Sequence, residues 1–213
     1  MPTGEAYKIR TKKKNLFLRV IKGHFATSHS HISYYIDVTA QKSRLTEAQA
    51  VAQELVAYYN NTIVDTILCL DGMEVIGTCL AEELTRGGYR NLNSHQTIYI
   101  VTPEHHTSGS MLIFRENVAP MIRGKNVLIL SASVNTGYTA RAAIEAIKYY
   151  GGSVAGIASI FSTIQSFMGN KVESVFNPND LIGYGSYASH ECPMCRAGQK
   201  IDALVNSHGY SKL

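Results

Sequence analysis

The chain has 213 residues, 45% hydrophobic and only 17% charged, with a mean hydropathy of −0.05. Such a composition can bury a core, which excludes a disordered polymer. Of its 20 basic side chains, Lys8, Arg10, Lys12, Lys13 and Lys14 fall in the first 14 residues against the single acid Glu5, so the rest balances at 15 bases and 15 acids. A neutral body with a basic arm over residues 1–15 fits a solvated tail better than a nucleic-acid surface, which spreads positive charge over a face of the fold. Nucleic acid is therefore not an expected partner. No window approaches the roughly 20-residue apolar run of a membrane helix, and MPTGEAYKIRTKKK lacks the apolar stretch of a signal peptide. Cys69 and Cys79 lie inside apolar segments, while Cys192 and Cys195 stand close together near the end. A cytoplasmic protein with reduced thiols and no membrane partner is expected.

LFLRVIKGHF from Leu16 and ISYYIDV from Ile32 are rich in β-branched and aromatic residues and flank a polar turn, which predicts two short strands. SRLTEAQAVAQELVAYYNN predicts a helix capped by Thr46, with Ala48, Val51, Ala52, Leu55, Val56 and Tyr59 on one face. TIVDTILCL reads as a buried strand, and DGMEVIGTCLAEELTRGG as a second helix closed by Gly87 and Gly88. QTIYIV is another strand. The polar segment Thr102 to Gly109 predicts a surface loop, with MLIF as a strand beyond it. GKNVLILSASVNTGYTARAAIEAIKYYGG predicts a strand over Asn126 to Leu130, a small-residue loop, and a helix from about Tyr138 to Tyr150 ended by Gly151 and Gly152. SVAGIASIFS follows as a further buried strand. Alternating apolar strands and helices imply an α/β fold with a mostly parallel central sheet and helices on both faces.

Ligands of such sheets sit beyond the carboxyl ends of the strands. There Ser131, Ala132, Ser133, Val134, Asn135, Thr136, Gly137, Tyr138 and Thr139 join a strand to a helix N-terminus. Free backbone N–H groups, the helix dipole, a glycine and several hydroxyls make an anion cradle for which phosphate is the natural guest. The alternative is an ordinary helix cap built from Ser, Thr and Asn. Neither a Walker lysine nor a GxGxxG stretch is present.

VLILSASVNTGYTARAAIEAI resembles the phosphoribosyl-diphosphate signature of type I phosphoribosyltransferases, and GHFATSHSHISYYIDV over Gly23–Val38 resembles the N-terminal signature of orotate phosphoribosyltransferases. ILCLDGMEVIGTCLAEEL is similar to their pyrophosphate loop and following helix, and ECPMCRAGQKI to a Cys-Pro-x-Cys ending found in some of them. The resemblance spans roughly residues 16 to 201. It implies one phosphoribosyltransferase-like domain over 16–213 with a small N-terminal hood mainly from 16–40, a homodimer, and phosphoribosyl diphosphate or a nucleotide-like small molecule as ligand. Magnesium is implied if the protein is catalytic. The 5′-phosphate would lie on Ser133, Val134, Asn135, Thr136, Gly137, Tyr138 and Thr139, the ribose against Ser131 and Ala132, the pyrophosphate against Asp71, Gly72, Met73 and Glu74, and the base against Phe25, Tyr34 and Tyr35, with a packing role for these aromatics as the alternative.

The chain departs from the family where charge matters. Ser131 and Ala132 replace the adjacent acids that grip the ribose, and Met73 and Glu74 bring bulk and negative charge to the pyrophosphate loop. The lysine and arginine positions of the mobile loop fall on Val101, Thr102, Pro103, Glu104, His105, His106 and Thr107, leaving Arg115 as the next fixed cation. Glu104, His105 and His106 are the remaining acid-base candidates, with solvated loop residues as the alternative. Transfer makes the ribose cation-like and the leaving pyrophosphate more negative, so these losses bear directly on rate. Two functions follow: an orotate phosphoribosyltransferase-like protein that binds a phosphoribosyl ligand and transfers phosphoribose to a pyrimidine-like base, or a non-catalytic regulator binding a nucleotide or sugar phosphate through the same cradle. Separately, Cys192 and Cys195 with His190 offer three ligands for a structural zinc ion, a fourth coming from Glu191, His208 or a second subunit, with plain reduced thiols as the alternative.

Overall fold

The computed structural model describes residues 6–10, 16–86, 91–94, 96–105, 111–206 and 209–213. In chain order these form β1 (Tyr7–Arg10), β2 (Phe17–Ala26), β3 (His31–Asp37), α1 (Thr39–Ser43), α2 (Leu45–Tyr59), β4 (Thr66–Cys69) and α3 (Glu74–Thr85). Next come β5 (Tyr99–Val101), β6 (Glu104–His105), β7 (Leu112–Ile113), β8 (Asn126–Val134), α4 (Tyr138–Tyr149) and β9 (Ser153–Ser162). The chain closes with β10 (Ser166–Phe167), β11 (Asn170–Phe176), β12 (Ser186–Tyr187), α5 (Pro193–Arg196), β13 (Ala203–Asn206) and β14 (Gly209–Lys212). Two structural units result, one from Gln41–Val175 and one from Met1–Ala40 with Phe176–Leu213.

The unit over 41–175 is built on the sheet β10-β11-β9-β8-β4-β5, in which β5, β4, β8 and β9 run parallel. Its central strands are apolar at successive positions because both faces are covered. Leu68, Val127 and Ile129 pack with Ala143, Ile144 and Ile147 of α4. On the other face α3 lies so close that a Cβ at Gly77 would stand 2.5 Å from Cys69 Sγ and 3.6 Å from Ile67 and Leu130. Burying each such Leu or Ile stabilises the fold by about 1.5–3 kcal/mol. Helix α2 buries Ala48, Val51, Ala52, Leu55 and Tyr59, and the Tyr59 hydroxyl donates to Ile157 O at 2.9 Å. Val56, expected on the same face, is only half-buried.

Some boundaries differ from expectation. Thr46 does not cap α2, because the helix begins one residue earlier with Arg44 at the cap position, and the Thr46 hydroxyl turns to the Glu47 carboxylate at 3.0 Å. The segment after β5 is not wholly loop: Glu104 and His105 pair antiparallel with Ile113 and Leu112. Gly87, Gly88 and residues 106–109 lie outside the described residues. Helix α4 ends as expected, with Gly151 at φ 80° and the Gly152 N–H donating to Ile147 O at 2.8 Å.

The second unit carries the sheet β12-β3-β2-β13-β14, with β1 on β2. The expected strand pair is the β2–β3 hairpin, bulged between Lys22 and Phe25 and turned at Thr27–Ser30, where the Thr27 N–H donates to Ser30 O at 2.8 Å. Gly23 permits the bulge, since a Cβ there would meet the Asp202 carboxylate at 2.7 Å. The C-terminal segment belongs to the same unit: β13 runs parallel to β2 with Ala203 opposite Phe25. Within the basic arm Tyr7–Arg10 is strand rather than free tail, paired to Phe17–Val20, and residues 1–5 and 11–15 lie outside the described residues. No helix among the described residues is long and apolar enough to cross a membrane.

Candidate functional site

Strand β8 continues past Leu130, so Ser131, Ala132, Ser133 and Val134 are strand and not loop. The parallel pairing with β9 extends to Ser133↔Phe161 and Val134↔Ser162, and Val134 O receives both the Ser162 hydroxyl and the Thr163 N–H at 3.0 Å. Val134 is buried in the core. The loop proper is Asn135–Gly137, leading into α4. Gly137 is the N-cap residue of α4, lies at φ 82°, and no side-chain cap closes the helix. The helix-cap alternative therefore fails, because a glycine stands where the capping hydroxyl or amide would be. The first N–H groups of an α-helix point out along its axis with the positive end of the dipole. Around them Ser133, Thr136, Tyr138 and Thr139 are exposed. Asn135 Oδ1 is buried with no hydrogen-bond partner among the described residues. Beneath the turn, the Phe167 ring would lie 2.3 Å from a Cβ at Gly137, and Arg141 stacks over that ring at 5.8 Å. Arg141 is thus a cation one helical turn from the cradle.

Beside this loop the residues matching the ribose acids are committed inward. Ser131 is 2% exposed, and its hydroxyl donates to the Asp71 carboxylate at 2.8 Å and lies 3.1 Å from Ser133 O. The Ala132 N–H points to the same carboxylate at 3.4 Å. Asp71 and Gly72 both take left-handed backbone, at φ 58° and 76°, in the tight turn from β4 to α3. Lys42 Nζ donates to Asp71 O at 2.8 Å. Met73 adds no bulk at the surface, being fully buried. Glu74 opens α3, where a carboxylate suits the helix dipole, and accepts the Thr102 hydroxyl at 3.1 Å.

The acid-base candidates fare differently. Glu104 and Arg115 form a forked pair, with Arg115 Nε 3.0 Å from each carboxylate oxygen. That hydrogen bonding holds the Glu104 carboxyl below the usual carboxylate range. Glu104 is therefore an ionised partner of Arg115 rather than a proton donor, and the next fixed cation of the chain is neutralised with it. His105 is exposed on β6, and His106 lies outside the described residues.

The three aromatic residues matched to the base pocket serve the interior of their own unit. Phe25 is fully buried and Tyr35 7% exposed, with ring centroids 6.1 Å apart, and Tyr210 stacks on Tyr35 at 4.8 Å. Burial pushes the Tyr35 hydroxyl up to about 12, the Asp37 and Tyr210 charges adding to the rise. The Tyr34 hydroxyl donates to Ile182 O at 2.9 Å. Their rings are used for packing.

Cys192 and Cys195 do not meet His190. That ring is exposed and faces Glu191 at 3.7 Å, because the short turn Ser189–Glu191 points it outward. The two thiols meet His24 and His31 instead, the four ligand atoms lying within 4.8 Å of one another. His208, the other histidine considered as a ligand, lies outside the described residues.

No protein-family model matches the chain. An orotate phosphoribosyltransferase of Chlorobaculum parvum is 26% identical over 190 residues, covering 86% of this chain and 88% of that protein. Among solved structures, Mycobacterium tuberculosis orotate phosphoribosyltransferase in complex with Fe(III) dicitrate superposes with a TM-score of 0.53 at 18% identity, covering 77% of this chain and 92% of that one. Leishmania donovani UMP synthase gives 0.57 at 20% identity, covering 76% of this chain and 34% of that longer one. The fold is that of the type I phosphoribosyltransferases. In sequence the chain is similar to orotate phosphoribosyltransferases, at 26% identity over most of its length.

Proposed function

We propose that the chain binds a phosphoribosyl ligand, phosphoribosyl diphosphate or a nucleotide, with its phosphate monoester on Asn135, Thr136, Gly137, Tyr138 and Thr139 and its sugar toward the end of β8. The observation that carries this is the start of α4: a left-handed glycine with no side-chain cap, flanked by exposed Thr136 and Thr139. Backbone N–H groups so placed bind a doubly charged ester without a lysine. On this reading residues 16–213 act as one phosphoribosyltransferase-like domain, and the likeness to orotate phosphoribosyltransferases supports a homodimer in the cytoplasm.

Magnesium fits the pyrophosphate side, where the Asp71 and Glu74 carboxylates are hard oxygen donors of the kind it takes together with substrate phosphates. When bound, it neutralises diphosphate charge. Asp71 and Glu74 are the residues that would hold it.

Transfer to a pyrimidine-like base is the activity the relatives' names carry. The second reading, a non-catalytic nucleotide or sugar-phosphate-binding regulator, is favoured by two observations. Ser131 and Ala132 offer no charge of their own to the ribose, and Arg115 is held by Glu104. Loss of even one stabilising donor costs about a hundredfold or more in rate. Calorimetry with phosphoribosyl diphosphate, nucleoside monophosphates and ribose 5-phosphate, followed by pyrophosphate release with orotate and a panel of bases, tests both. Binding with magnesium-dependent turnover establishes the transferase, binding without turnover the regulator, and failure of every ester to bind removes both.

A further inference from the structure

We infer that His24, His31, Cys192 and Cys195 form a structural zinc site that clasps the C-terminal segment onto the β2–β3 hairpin. The inference rests on residues separate from the phosphate cradle and stands or falls without it.

Four of the ligand-to-ligand spacings are close to those of a zinc tetrahedron. Four ligands at zinc-nitrogen and zinc-sulfur bond lengths stand about 3.3 Å apart for two nitrogens and about 3.6 Å for nitrogen and sulfur. Here His24 Nε2 lies 3.0 Å from His31 Nδ1, 3.6 Å from Cys192 Sγ and 3.7 Å from Cys195 Sγ, and Cys195 Sγ lies 3.3 Å from His31 Nδ1. A small outward adjustment of the two imidazoles leaves room for one ion at the centre.

The orientation of His24 agrees. Its Nδ1 stands 2.9 Å from Gln199 O, a carbonyl that can only accept, so Nδ1 carries the proton and Nε2 turns its lone pair to the other three ligands. A ring N–H donated to a backbone carbonyl is the usual outer contact of a metal-bound histidine. The ring and Cys192 are both fully buried, where two polar groups without a strong common partner cost stability. The backbone is shaped to the same end. The bulge at Gly23 lets the His24 N–H donate to the Asp202 carboxylate at 2.8 Å, while the Asp202 N–H donates to His24 O at 2.7 Å.

The donor set selects the ion. Two thiolates and two imidazoles suit zinc and exclude magnesium or calcium, which take oxygen. Four protein ligands close the coordination sphere, leaving no position for substrate, so the role is to hold the fold together. One ion would tie residues 24 and 31 to residues 192 and 195, far along the chain, with His24 and Cys195 171 positions apart.

The test uses the full chain, purified without a polyhistidine tag, reduced, stripped of metal and reconstituted with zinc. About one zinc per chain should be retained through desalting, and cobalt in its place should give the strong visible bands of a tetrahedral thiolate site. Cys195 is exposed, so Cys195→Ser should fold and still weaken zinc by about 100-fold or more in competition with a chromophoric chelator. His31→Ala should do the same, and His190→Ala should retain the ion. Far-ultraviolet circular dichroism checks that each variant folds. A reduced, folded wild-type chain that takes up no zinc or cobalt overturns the inference, as does unweakened binding by Cys195→Ser.

Discussion

The carboxylate of Asp71 accepts the Ser131 hydroxyl at 2.8 Å, joining the turn after β4 to the end of β8. A carboxylate therefore stands beside Ser131 and Ala132, the two positions that the sequence resemblance matches to an acid pair, although neither of them supplies it. Restoring an acid with Ser131→Asp would bury a second carboxylate against the first. We expect this variant to lose about 2–4 kcal/mol of stability. Adding Asp71→Ser should recover most of it, because one carboxylate and one hydroxyl are again paired. Urea denaturation of the two single variants and the double gives the coupling directly, and simple additivity would show that the pair does not interact.

Gly137 carries two separate constraints, a left-handed φ of 82° and the Phe167 ring where a Cβ would go. Gly137→Ala should cost about 1–3 kcal/mol. With Phe167→Ala in the background, the further cost of Gly137→Ala should fall to the backbone part alone, about 1 kcal/mol. Chemical denaturation measures both steps.

On the proposed reading Asp71 and Glu74, at the turn from β4 into α3, serve the diphosphate and the start of α4 serves the monoester. Chelation of magnesium should therefore leave ribose 5-phosphate affinity unchanged while weakening phosphoribosyl diphosphate about tenfold or more. Calorimetry with and without chelator reads the difference. Equal binding of the diphosphate in both would place it elsewhere.

Glu104 offers a pH prediction whose sign is fixed by its partner. Arg115 depresses the carboxyl in the folded chain, so the pair stabilises above the unfolded carboxyl's range, and this contribution is lost as pH falls through the folded value. The pair is exposed, so salt should weaken it. Carboxyl-detected NMR should show Glu104 titrating below an ordinary glutamate, and Arg115→Ala should return it to the usual range.

The strand-helix alternation and the start and finish of α4 were legible in the sequence because apolar periodicity and paired glycines report local structure. Ser131–Val134 was not legible as strand, since small polar residues read as loop and only pairing with β9 extends them. Lys42 and Arg141 carry no motif and reach their places through tertiary packing alone. The aromatic residues Phe25, Tyr34 and Tyr35 match a signature, yet all three are buried in the unit that carries β2 and β3. His190 attracted the metal reading by standing two residues from Cys192. The true partners, His24 and His31, sit 7 residues apart on the two arms of a hairpin, a spacing with meaning only once the strands are folded together.

Nitrogen-15 NMR of the full chain, titrated with ribose 5-phosphate and with uridine monophosphate, tests the phosphate cradle most directly. The amides of Gly137, Tyr138 and Thr139 should show the largest shifts, saturating with both ligands and vanishing in Gly137→Ala. Saturable shifts centred on other residues, with these three unmoved, would contradict it.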